Sequence, residues 1–80
     1  MAIYIEIQKV REDEGTADYT FSLEGRGTGL VRLRKSTGEV ELLEPLPGDS
    51  AERGFFERAA HKLRSHWRKE EFPERTCWAS

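Results

Sequence analysis

Eighty residues, 36% of them hydrophobic and 35% charged, bound the chain to one small domain. A net charge of −2 argues against a polyanion binder, no apolar run approaches the length of a membrane span, and eight aromatic residues set the chain apart from disordered sequences. The single Cys77 forms no internal disulfide, and MAIYIEIQKV lacks the basic and long apolar segments of a secretory signal, so a cytoplasmic location is expected.

Residues 3–10 alternate, with Ile3, Ile5 and Ile7 against Tyr4, Glu6 and Gln8, which predicts a half-buried strand. REDEGTA is a charged turn. Residues 18–24 alternate again, Tyr19, Phe21 and Leu23 against Thr20, Ser22 and Glu24. The glycine-rich GRGTG leads into a third strand over residues 29–35, where Val31 and Leu33 oppose Arg32 and Arg34. A fourth strand over 39–44 sets Val40 and Leu42 against Glu39, Glu41 and Leu43. With Ser36 and Thr37 at the tip of the last hairpin, Leu33 faces Val40, Val31 faces Leu42, Arg34 faces Glu39 and Arg32 faces Glu41. A slip of one residue would set Leu33 against Glu41.

PLPGD ends the sheet, because Pro45 and Pro47 donate no ladder bonds. Asp49 reads as a helix N-cap, with Glu52 completing a capping box. A helix is expected from Ser50 to about Glu71, ended by Pro73, with Phe56, Ala59 or Ala60, Leu63 and Trp67 as its apolar stripe. The predicted architecture is α+β: a four-stranded antiparallel meander with one C-terminal helix across one face, in one domain spanning 1–80 with a tail over 72–80. Phe56, Leu63 and Trp67 are expected to bury against Ile5, Phe21, Leu33 and Val40. A helix of this length overhangs strands of about seven residues by one to two turns. The overhang would lie near Trp67 to Phe72, and Trp78 of the tail is the candidate to fold back over it.

Charge is uneven along the chain. Residues 1–50 carry six cations against ten acids, and residues 51–71 carry six cations against four. GRGTG lies between strands and lacks the Lys and Ser/Thr that open a phosphate-binding helix, so it reads as a turn. Glu12, Asp13, Glu14 and Asp18 have no calcium-loop spacing. His61 and His66 are five apart, off the i, i+4 spacing of a helical zinc pair, and no third ligand is evident. Cys77 with a distant histidine is the minimum for a thiol nucleophile, but it stands beside Trp78 without an orienting group. No catalytic residue, metal site or cofactor is therefore assigned.

GEVELLEPLPGD, FFERAAHKLRSHW and FPERTCWAS together resemble a family of very short bacterial proteins of unassigned activity. The resemblance implies a bacterial cytoplasmic protein, and by fold analogy an immunity-type or accessory role. The expected function is a small non-catalytic protein-binding module that contacts another protein or itself. Its candidate interface is Arg64, Trp67, Arg68, Phe72 and Trp78, since aromatic and arginine side chains are enriched at interfaces. The alternative is a nucleic-acid-associated protein using Arg58, Lys62, Arg64, Arg68 and Lys69 of the helix. No membrane contact is expected.

Overall fold

The computed structural model describes residues 3–47 and 54–79. Strands β1 (Tyr4–Glu12), β2 (Thr16–Leu23), β3 (Gly27–Arg34) and β4 (Val40–Glu44) follow one another, then helix α1 (Gly54–Trp67) and strand β5 (Arg75–Ala79). The strands form one antiparallel sheet in the order β4-β3-β2-β1-β5. The α+β plan is the expected one, but the meander is completed by a fifth strand. RTCWA, read above as tail, pairs beside β1 and makes that strand central rather than an edge. Five residues with one β-branched member show little alternation of their own; the neighbouring strand supplies their order.

The helix lies across the face of the sheet that carries the apolar residues. Ile5, Ile7, Tyr19, Phe21, Val31 and Leu33 from the strands meet Phe56, Ala59, Ala60 and Leu63 from the helix, and all are buried. Trp67 packs against this core half-buried, so the expected helix phase is the observed one. Leu46, between two prolines and not placed in the core by the sequence pattern, is buried as well. The register of the last hairpin is as expected, with Val31 opposite Leu42, Arg32 opposite Glu41 and Leu33 opposite Val40. Its ion pairs differ in part. Arg34 reaches Glu39 at 3.6 Å and Glu41 at 3.4 Å, whereas Arg32 turns to the other neighbouring strand and forks onto buried Asp18 at 2.9 and 3.2 Å. A planar guanidinium gains more from a two-pronged carboxylate in partial burial than from one exposed Glu41. Asp18 raises the Arg32 guanidinium pKa further.

The helix ends earlier than expected. Its last residue is Trp67, and the stop is a backbone motif rather than Pro73. Glu70 takes a left-handed φ of 58°, the Glu71 N–H bonds back to the His66 carbonyl and the Glu70 N–H to the Trp67 carbonyl. This pair of bonds around a left-handed residue is a Schellman cap. The described part of the helix is fourteen residues, about 21 Å at about 1.5 Å each, and it stops at Trp67, so the overhang expected over Trp67 to Phe72 is absent among the described residues. The proposed Asp49 cap and Glu52 capping box lie outside the described residues.

Candidate interaction surface

The five residues read from sequence as an interface do not form one patch. Trp67 is anchored at the end of the sheet that holds the β3–β4 turn: its indole N–H donates to the Lys35 carbonyl at 2.7 Å, and its ring lies against Gly38. Phe72 sits at the same end, under the Lys35 ammonium at 4.7 Å, with its carbonyl taking a bond from the Lys9 amine at 2.8 Å. Trp78 lies at the opposite end. It pairs with Ile5 near the start of β1 and carries the Arg58 guanidinium 5.3 Å over its ring. The expected fold-back of Trp78 onto Trp67 is thus corrected: β5 runs antiparallel to β1 and carries Trp78 away along the sheet. Arg64 is half-buried and Arg68 exposed.

The helical cations do not share a stripe either. Arg58 and Lys62 are one turn apart on one flank, and Arg64 and Arg68, the latter just past the helix end, are one turn apart on the other, about 120° around the axis. Arg58 is engaged over the Phe55 and Trp78 rings.

Polar clusters at the Trp67 end hold the chain together. Lys9 is in phase with Ile5 and Ile7, so its side chain enters the helix face of the sheet, where it is only 9% exposed. Its ammonium is neutralised by Glu12 and by Glu74 at 3.4 Å, while Glu12 also holds Lys35 at 2.7 Å. These contacts raise the Lys9 pKa, chiefly through Glu12, and lower that of Glu12, chiefly through Lys35. An inward lysine in an isoleucine phase was the signal in the sequence for this clasp, which fastens residues 72–74 onto β1.

His66 links the helix to β5. Its Nε2 lies 2.8 Å from the Thr76 hydroxyl and its Nδ1 3.0 Å from the Glu71 carboxylate, which it holds below the usual carboxylate range. Hydroxyl, imidazole and carboxylate stand in the order of a nucleophile, base and orienter. Thr76, however, is on the helix-facing side of its strand, opposite Ile7, where the hydroxyl is engaged between two layers. The arrangement works as a latch. His61, the other histidine, is exposed, and among the described residues no three of His, Cys, Asp and Glu converge as metal ligands. The hairpin turn is shorter than the expected GRGTG: it spans Glu24–Arg26, where Gly25 supplies a φ of 78°, while Gly27–Gly29 already belong to β3 and Gly29 lies under the Phe21 ring.

The sheet has two edges, and they differ. Both edge strands are five residues long, but β4 is interrupted by a register shift opposite Leu30 and Val31 and runs into Pro45. Such features blunt an edge. β5 pairs with β1 in unbroken register from Ala79 to Arg75, and the Lys9 N–H bond to the Glu74 carbonyl at 2.8 Å fixes its phase. In an antiparallel ladder hydrogen-bonded pairs alternate with pairs that point their backbone groups away. Glu74, Thr76 and Trp78 therefore bond to β1, and Arg75, Cys77 and Ala79 point their N–H and C=O groups outward. Among the described residues these groups bond to no other part of the chain. On the outer face, beside this edge, Tyr4 is 58% exposed. The Cys77 thiol next to it raises the Tyr4 phenol pKa. Tyr4, Glu6, Arg75, Thr76 and Cys77 line a shallow hollow of about 310 Å³.

Comparison with protein-family models, curated proteins and solved structures finds no match to this chain. Among the described residues no helix is long and apolar enough to cross a membrane.

Proposed function

We propose that the chain is a small non-catalytic protein-binding module whose contact surface is the β5 edge. The observation that carries this reading is the unblunted edge itself. Three outward residues offer N–H and C=O groups in regular spacing, and the strand holds no lysine, internal proline or bulge to repel a pairing strand. Tyr4 and Cys77 on one side and Trp78 on the other flank the edge with side-chain surface that selects a partner. Of the five interface residues expected from sequence, this surface retains Trp78; Trp67 and Phe72 serve the internal clasp. The split of the helical cations over two flanks disfavours a nucleic-acid role. The single half-buried Cys77 fits a reducing, cytoplasmic setting.

Selection of peptides from a random library tests the reading. Bound peptides are expected to be extended and to slow amide exchange at Arg75, Cys77 and Ala79, while Cys77→Lys abolishes capture. Capture that leaves those three amides unprotected, or that survives Cys77→Lys, would refute β5 as the contact edge.

A further inference from the structure

We infer that the strand received by β5 is β5 of a second copy of this chain, in a two-fold pairing centred on Cys77; this rests on the reading of β5 as a binding edge. The outward groups of Arg75, Cys77 and Ala79 are spaced evenly about Cys77. An antiparallel pair with its axis at Cys77 sets Arg75 opposite Ala79 of the second copy, Cys77 opposite its own equivalent, and Ala79 opposite Arg75. All three become hydrogen-bonded pairs, with six backbone bonds between the copies. A shift of two residues toward the N-terminus keeps only two pairs, because it brings Pro73, which has no N–H, into line. A shift of four in one direction sets Arg75 against Arg75, a like-charge pair.

The side chains fit the same register. Across the joined outer face one row reads Gln8, Arg75, then Ala79 and Tyr4 of the second copy. Two strand spacings, about 9.6 Å, separate Arg75 from that tyrosine, and small Ala79 lies between them. An arginine and a tyrosine together span that gap and place the guanidinium on the ring. Arg75 has no ion-pair partner among the described residues, and Tyr4 is 58% exposed, so the pairing gives the guanidinium a ring to lie on across the seam. On the helix face, half-buried Trp78 stands opposite Thr76 of the second copy, an aromatic against a β-branched residue. No charge meets a like charge at the seam.

The register makes Cys77 its own reporter, since hydrogen-bonded antiparallel pairs hold Cα atoms about 5.5 Å apart. Light scattering of the full chain through the micromolar range is expected to show a doubled mass that halves on dilution. A short thiol-to-thiol cross-linker is expected to join the wild-type chains. In a Cys77→Ser background, Arg75→Cys and Ala79→Cys proteins should cross-link when mixed, and neither should cross-link with itself. Cys77→Lys, which sets two ammonium groups face to face on an exposed strand, should give a monomer with an unchanged circular dichroism spectrum. A monomeric mass at every concentration, or self-cross-linking of either single-cysteine variant, would overturn the pairing. If the chain stays monomeric while library peptides still protect the edge amides, self-pairing falls and the edge reading stands. If neither is seen, both fall.

Discussion

Gly38 separates two costs that one glycine substitution usually mixes. Its φ is 78°, and a Cβ built there would lie 2.6–2.7 Å from three atoms of the Trp67 indole. Gly25 has the same φ of 78° with nothing within 4 Å of its Cβ position. Gly25→Ala therefore measures the backbone alone. A left-handed non-glycine residue costs about 1–2 kcal/mol, offset by about 0.4–1 kcal/mol from a less flexible unfolded chain, which leaves roughly 1 kcal/mol. Gly38→Ala adds displacement of an indole that is also tied to the Lys35 carbonyl. Overpacking costs about 1–3 kcal/mol, so a total of about 2–4 kcal/mol is expected. For a domain of this size the difference between the two variants, about 1–3 kcal/mol, corresponds to about 4–24 °C in melting temperature. Urea and thermal melts followed by circular dichroism give both values. Trp67→Leu should recover most of the steric part in the Gly38→Ala background but not in the Gly25→Ala background. Equal losses for Gly25→Ala and Gly38→Ala would refute the packing of Trp67 on the β3–β4 turn.

Glu70→Gly removes the left-handed strain at the helix cap and should stabilise the chain by about 0.5–1 kcal/mol, read as a raised urea midpoint. Tyr19 is fully buried, its hydroxyl has no hydrogen-bond partner among the described residues, and burial pushes its phenol up to about 12. Tyr19→Phe should therefore be neutral or stabilising by up to about 2 kcal/mol, and its loss from the ultraviolet phenolate titration should remove only the high-pH step. Lys35 lowers the Glu12 pKa, the Thr16 and Gly15 amides lower that of Asp13, and His66 lowers that of Glu71. Each folded-state value lies below the unfolded one, so the unfolded chain binds more protons in that window. Stability is then full above the ordinary carboxylate range, near pH 4–4.5, and falls as pH drops through the lowered values. Melts from pH 6 to 2 should show this slope, and Glu12→Gln should flatten it. Raised Lys9 has the opposite sign: its contribution holds below its ordinary pKa and is lost as pH climbs through the raised value.

The first four strands and the helix phase were written in the chain because each carries its own period. Ile3, Ile5 and Ile7, then Tyr19 and Phe21, repeat every second residue, and Phe56, Leu63 and Trp67 repeat at helical spacing. The register of the last hairpin was legible for the same reason, since matching apolar and oppositely charged pairs occurs in one alignment only. What tertiary structure decided was each place where a partner distant in sequence set the outcome. Arg32 chose Asp18 on one neighbouring strand over Glu41 on the other, because the buried carboxylate offers two acceptors at the right spacing. The helix stopped at Trp67, three residues before a glutamate forced into a left-handed turn that no intrinsic preference favours. RTCWA became a strand because β1 had an unsatisfied side, which placed Trp78 far from Trp67 and opened the edge at Cys77. Local periodicity fixes which face of an element is apolar. Hydrogen bonds between segments far apart in the chain depend on which neighbours folding brings alongside, and no window of the sequence contains that information.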